Sequence, residues 1–222
     1  FGQAEGVFVG GAWAGNVSPT SATVTIRLTA TGQRVRLLVS PRDNLSSPVF
    51  SPVVTSAANL GNTVKLTVQG LQPDTDYFYG IEVAGVVRTE AVSRGRFRTF
   101  PAGRGSFRIA FGSGSNPRDA NQRVFDALRE EKPVLFIHLG DLHQATPGGG
   151  ADDFRANFDE VLAHPTQGAF FRSLPSAYMW DDLDFGGNDS DGTAPSRDAA
   201  RAVYRERVPH YAIGPTGGTL GQ

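Results

Sequence analysis

Apolar residues in this chain recur at every second position up to Pro101 and at helical spacing after Arg104, so two regions of different architecture follow one another. In the first, Val24, Ile26 and Leu28, then Val35, Leu37 and Val39, then Val64, Leu66 and Val68, then Tyr77, Tyr79, Ile81 and Val83 each occupy one face of a strand. Thr23, Thr25 and Arg27 are left facing water. Clusters of Gly, Pro, Asn and Asp separate these runs at short intervals, which predicts a small antiparallel β-sandwich over residues 1–101.

Residues 102–222 read differently. A short strand over 108–111 turns through Gly112-Ser113-Gly114-Ser115-Asn116-Pro117 into a helix over about 120–131, with Val124, Phe125 and Leu128 as its apolar stripe and Pro133 barring its continuation. Residues 134–138 form a near-continuous apolar strand, as expected where both faces of a sheet are covered. Phe154, Phe158, Val161 and Leu162 repeat at helical spacing, residues 177–180 read as a third strand, and Ser196 caps a helix carrying Ala199, Ala200, Val203 and Tyr204. That order, β-α-β-α-β, is the start of a layered α/β domain.

Composition limits the function classes. At 222 residues, 39% hydrophobic and 19% charged, the chain is an ordinary globular one with no membrane span, and a net charge of −1 gives no field that would gather nucleic acid. The absence of cysteine excludes disulfides, zinc ribbons and thiol nucleophiles and leaves the compartment open. Phe1 in first position, with Met179 as the only methionine, points to a removed leader or a trimmed start.

Two segments concentrate acids just past apolar strands. Asp141 follows Gly140, which lets backbone approach an ion closely; as a hard oxygen ligand Asp141 suits Ca²⁺, Mg²⁺, Mn²⁺ or Fe³⁺, and as a turn residue it is equally ordinary. Asp181, Asp182 and Asp184, with Asn188 and Asp189 beyond, crowd carboxylates that repel one another unless a cation compensates. A solvated acidic loop is the alternative, but Trp180 and Phe185 beside the acids favour a metal.

The stretch Gly70-Leu71-Gln72-Pro73-Asp74-Thr75-Asp76-Tyr77-Phe78-Tyr79 resembles the tyrosine corner of fibronectin type III domains, and Trp13 fits the aromatic such domains bury. The whole order then resembles the PhoD-like alkaline phosphatases, which are calcineurin-like metallophosphoesterases. It runs from a fibronectin-like sandwich through Phe-Gly-Ser-x-Ser, then His-Leu-Gly-Asp-x-His, to Pro-x-x-Tyr-x-Trp-Asp-Asp-x-Asp-Phe-Gly-x-Asn. The resemblance implies two domains, 1–101 and 102–222, the second being the first half of an α-β-β-α layered metallophosphoesterase domain. It also implies an exported, extracellular or periplasmic hydrolase of phosphate esters, with calcium and iron as its metals.

Carried over by position, Asp141 looks like the bridging metal ligand and Asp181 and Asp182 like further acidic ligands, Asp182 also serving catalysis. Asn188 looks like a metal or phosphate contact, Ser113 and Ser115 lie where phosphate could be touched, and His143 is the proton-transfer candidate. His138 reads as a hydrogen-bonded core residue, and His164 and His210 as loop and helix-end residues. Three positions depart from the pattern: Gly114 stands where the family has a cysteine ligand, Gln144 where it has a tyrosine and Leu183 where it has a histidine. An impaired pseudophosphatase or binding protein is therefore the second reading. Gly217-Gly218 leads, in the family, into another strand, so the resemblance implies a sheet completed by a further segment or another chain, with an unpaired edge and an uncovered face without it.

Overall fold

The alternating runs form strands in the computed structural model, which describes residues 6–117, 123–144, 146 and 148–213. Nine of them lie before Pro101: β1 (Trp13–Gly15), β2 (Ser21–Arg27), β3 (Arg34–Ser40), β4 (Val49–Phe50), β5 (Val54–Thr55), β6 (Thr63–Gln69), β7 (Asp76–Val83), β8 (Val86–Val87) and β9 (Arg94–Arg98). Then come β10 (Ile109–Gly112), α1 (Arg123–Glu130), β11 (Leu135–His138), α2 (Ala151–Ala163), α3 (Pro165–Ser173), β12 (Ser176–Tyr178), α4 (Asp182–Phe185) and α5 (Arg197–Arg207). Residues 120–122 of the expected first helix and the Gly217-Gly218 stretch lie outside the described residues.

Two sheets result. One is built on β3 and β7, with β4 and β5 on the free side of β3 and β8 and β9 on that of β7. The other runs β10-β11-β12-β1-β2-β6. Its β1, β2 and β6 are antiparallel, its β10, β11 and β12 are parallel, and β1 joins β12 in parallel at Gly15 and Ser176. A Cβ on Gly15 would stand 2.6 Å from the Ser176 carbonyl oxygen, so glycine is what lets the two regions share one sheet.

Every apolar residue assigned to an inner strand face is buried, and the two sheets close over a core of Val24, Ile26, Val35, Leu37, Leu66, Tyr79 and Ile81 among others. The tyrosine corner is present: the Gln72 N–H donates to the Tyr77 hydroxyl at 2.9 Å. Replacing Tyr77 with Phe removes that bond and should cost about 0.5–1.5 kcal/mol, read as a lowered denaturant midpoint with an unchanged slope. A loss under about 0.3 kcal/mol would mean the corner contributes nothing to this fold.

The outer face of β2 is not wet. Thr23 and Thr25 are buried and Arg27 is half-buried, because α2 and α5 lie over them. The Thr25 hydroxyl donates to the Arg207 carbonyl at 2.8 Å, Arg27 pairs with Asp159, Arg207 reaches the same carboxylate, and Arg155 forks onto Glu206 at 2.7 Å. Glu206 also accepts from Thr63 of β6 at 3.1 Å. Alternation along β2 identified one dry face; only helices from the second region make the other dry.

Trp13 also departs from expectation. It is fully buried, yet not in the sandwich core: its ring lies 5.4 Å from Phe171, 5.8 Å from Tyr178 and 6.0 Å from Phe158, inside the core of the second region. That core is filled by Phe154, Phe158, Val161 and Leu162 of α2, Phe170 and Phe171 of α3, and Val203 and Tyr204 of α5. The sequence reading lacked α3, whose start is set by Pro165 and by His164 Nδ1, which accepts from the Thr166 and Gln167 N–H groups. Ser196 does precede α5, but its hydroxyl donates to the Phe185 carbonyl at 2.9 Å instead of capping the helix.

Coverage is one-sided along β10 and β11. Phe136 and His138 are buried while Leu135 and Ile137 are half-buried, so the two-sided burial expected of that strand is only partial. Strand β10 is an edge, with Phe107, Ile109 and Phe111 exposed, and Val124 of the expected α1 stripe is exposed too. Among the described residues no helix is long and apolar enough to cross a membrane.

Candidate metal centre

Because β10, β11 and β12 are parallel, the loops that follow them emerge at one edge of the sheet. Backbone bonds tie the first loop to the second: Gly114 N–H donates to the Gly140 carbonyl at 3.1 Å and Ser115 N–H to the Asp141 carbonyl at 3.0 Å. The second loop meets the third even more closely. Gly140 has φ +102°, and a Cβ there would lie 2.5 Å from the Asp181 nitrogen, so this contact admits only glycine. Asp141 itself is held at φ +53°, a left-handed conformation that aspartate tolerates at a cost of about 1 kcal/mol.

This geometry brings together the acids assigned to metal. Asp141, Asp181 and Asp182 each offer a carboxylate oxygen within 4.8 Å of the others. Asp141 Oδ1 is buried and has no hydrogen-bond partner among the described residues. Burial, then the charges of Asp181 and Asp182, push the Asp141 carboxyl above the usual carboxylate range, and hydrogen bonds from the Leu183 backbone and the Gln144 side chain only partly oppose this. A cation relieves both the repulsion and the orphaned oxygen, so the donor set fits a hard metal ion. Gln144, where the family has a tyrosine ligand, thus works as a donor to Asp141.

Backbone bonds hold two of the three acids, and Asn188 and the serines sit less centrally. Asp182 accepts from the Leu183 N–H at 2.8 Å and from the Asp189 N–H, and Asp181 accepts from the Asp182 N–H at 3.0 Å. Asn188 is exposed, its amide nitrogen donating to Asp189 at 2.7 Å. Ser113 is exposed, and Ser115 is engaged in the loop, donating from Oγ to the Leu142 carbonyl at 3.1 Å. Gly114 has φ +65°, and no described residue lies within 4 Å of where a Cβ would point, so a cysteine there would meet conformational strain.

His138 is the core residue its apolar setting suggests. Its Nδ1 accepts from the Gly140 N–H at 3.2 Å, which puts the proton on Nε2, 3.2 Å from Ser115 Oγ. Burial, aided by the neighbouring His143, pulls its pKa from 6.5 down to about 4. The native state resists the proton, so the unfolded chain takes it up first as pH falls below about 6.5. Stability is therefore undiminished by this group above that pH and declines through the window to about 4, by about 3 kcal/mol. In NMR spectra the His138 ring signals should hold their neutral positions down to pH 5; a midpoint near 6.5 would contradict the assignment.

His143 lies elsewhere than a proton donor to substrate should. It is buried beneath the acids, with Nε2 3.7 Å from Asp184 Oδ1 and 3.5 Å from the Asn157 amide nitrogen. Asp184, one of the crowded carboxylates of the sequence, is not among the three acids that converge. It is buried, and burial pushes its pKa up to about 7 against the backbone bonds it accepts. The one signal for it was its position three residues after Asp181, the spacing of a capping box.

Residues 2–101 match the family model for the N-terminal domain of PhoD-like phosphatases. Over its whole length the chain is similar to the solved structure of PhoD, with 18% identity and a TM-score of 0.79, and it spans 49% of that chain. The sensor domain of the anti-sigma factor RsgI4 from Pseudobacteroides cellulosolvens, in its short form, is 16% identical over 44% of this chain and 99% of its own, with a TM-score of 0.35. No curated protein matches the chain.

Proposed function

We propose that this protein is a metal-dependent phosphoric ester hydrolase of the PhoD-like family, exported from the cell and acting on phosphomonoesters or phosphodiesters; the match of residues 2–101 to the N-terminal domain of PhoD-like phosphatases supports the reading. The observation that carries the reading is the meeting of Asp141, Asp181 and Asp182 at the carboxyl edge of the parallel strands, with a buried Asp141 oxygen that has no partner among the described residues. Such a centre, when loaded, neutralises phosphate and activates water. The chain's own residues do the rest. Asp141, Asp181 and Asp182 would hold the metal, and Asn188 and Ser113, both exposed, would orient the phosphate. His143 acts from beneath, through Asp184, without touching substrate. Calcium and iron are the metals this reading favours, and a further segment or chain covers β10 with its exposed Ile109 and Phe111, and Phe107 just before it.

The test is turnover of p-nitrophenyl phosphate and bis-p-nitrophenyl phosphate by the full-length protein, before and after chelation, with elemental analysis of bound metal. Stoichiometric metal and chelator-sensitive turnover support the reading, and metal-independent turnover or none sinks it. Gly114, Gln144 and Leu183 favour a second reading, a pseudophosphatase that keeps the fold. Bound metal without turnover is its signature.

A further inference from the structure

Asp184 lies beside the three acids yet differs from them in what its oxygens do. Its Oδ2 accepts from the Asp141 N–H at 2.6 Å and the Asp181 N–H at 3.0 Å, and its Oδ1 accepts from the Leu142 N–H at 2.9 Å. The Tyr178 hydroxyl adds a fourth hydrogen bond. A helix cap explains only the Asp181 contact. The Asp141 and Leu142 N–H groups belong to the loop after β11, some forty residues earlier, and a four-residue helix gains nothing from them.

We infer that Asp184 is a positioning residue, a carboxylate clamp that joins the two ligand-bearing loops so that Asp141, Asp181 and Asp182 converge on one point; this rests on the metal-centre reading above. Two observations show why a clamp is needed. Asp141 is held at a left-handed φ of +53°, which an unsupported loop would relax. The Gly140 and Asp181 backbones also touch closely enough to exclude a Cβ, which sustained attraction between the loops must maintain. Hydrogen bonds that the one buried Asp184 carboxyl group accepts from three N–H groups of two loops supply that attraction. Both Asp184 oxygens are committed to backbone donors, so Asp184 holds the ligand set without joining it, as outer-shell carboxylates of metal sites do.

The experiment is calorimetric titration of the metal-free full-length protein with Ca²⁺ alone, for wild type, Asp184→Asn and Tyr178→Phe, with circular dichroism to establish folding. Asp184→Asn should weaken Ca²⁺ binding by about 10–100-fold per folded molecule, and Tyr178→Phe, which removes one of four donors and no candidate ligand, by a smaller factor in the same direction. Hydrogen exchange on metal-free wild type should find the Asp141 and Leu142 amides protected. Wild-type affinity in folded Asp184→Asn overturns the inference. If that variant does not fold, unchanged affinity in Tyr178→Phe overturns it, as does free exchange of the two amides in wild type. A wild type that binds no Ca²⁺ while those amides are protected counts against the metal centre and leaves the clamp between the loops standing.

Discussion

Replacing Leu183 with histidine should raise kcat on p-nitrophenyl phosphate by about 10²–10⁴-fold, the usual contribution of a well-placed general acid. Leu183 stands in the first turn of α4, half-buried, between Asp182 and Asp184, and its N–H already donates to Asp182 at 2.8 Å. A histidine there would be flanked by carboxylates that favour its protonated form, so it would carry its proton at neutral pH. The gain should appear in kcat more than in KM, because a leaving-group proton donor acts in the transition state. Unchanged turnover in a variant that still binds metal would mean the proton comes from elsewhere. His143, buried beneath Asp184, is poorly placed for that task.

The second large effect concerns stability. Trp13→Ala should cost about 3–5 kcal/mol, because Trp13 is fully buried and its ring touches Phe158, Phe171 and Tyr178 from three elements. The loss should lower the denaturant midpoint for the helical region as much as for the sandwich, since Trp13 sits on a sandwich strand but fills the other core. A ring confined to the sandwich would instead destabilise residues 1–101 alone, and separate unfolding of the two regions would refute the shared core.

The inner faces of the sandwich were legible because alternation reports burial directly: Val24, Leu37, Leu66 and Ile81 lie where spacing puts them. Thr25 does not face water because Arg207 of α5, more than a hundred residues away, lies over it, and polarity alone cannot show what will cover a sheet. Trp13 was placed in the wrong core for the same reason. The α3 helix, with Gly168 in its middle and a weak apolar stripe, gives little periodic signal beyond Pro165. At the site, acids clustered after strands identified Asp141, Asp181 and Asp182, which the structure gathers. Spacing could not separate Asp184 from them, since all four are aspartates; only the direction of its hydrogen bonds does.

The pairing of β1 with β12 also governs the order of assembly. Strand β1 is synthesised early and β12 late, so the sandwich offers a waiting template whose Gly15 edge stays open until Ser176 arrives. Closure over so long a stretch of chain is slow, and a neighbouring copy carries the same strand. If β12 of one molecule takes the place of another's during closure, the yield on refolding should fall as concentration rises, which a refolding series at increasing concentration would read.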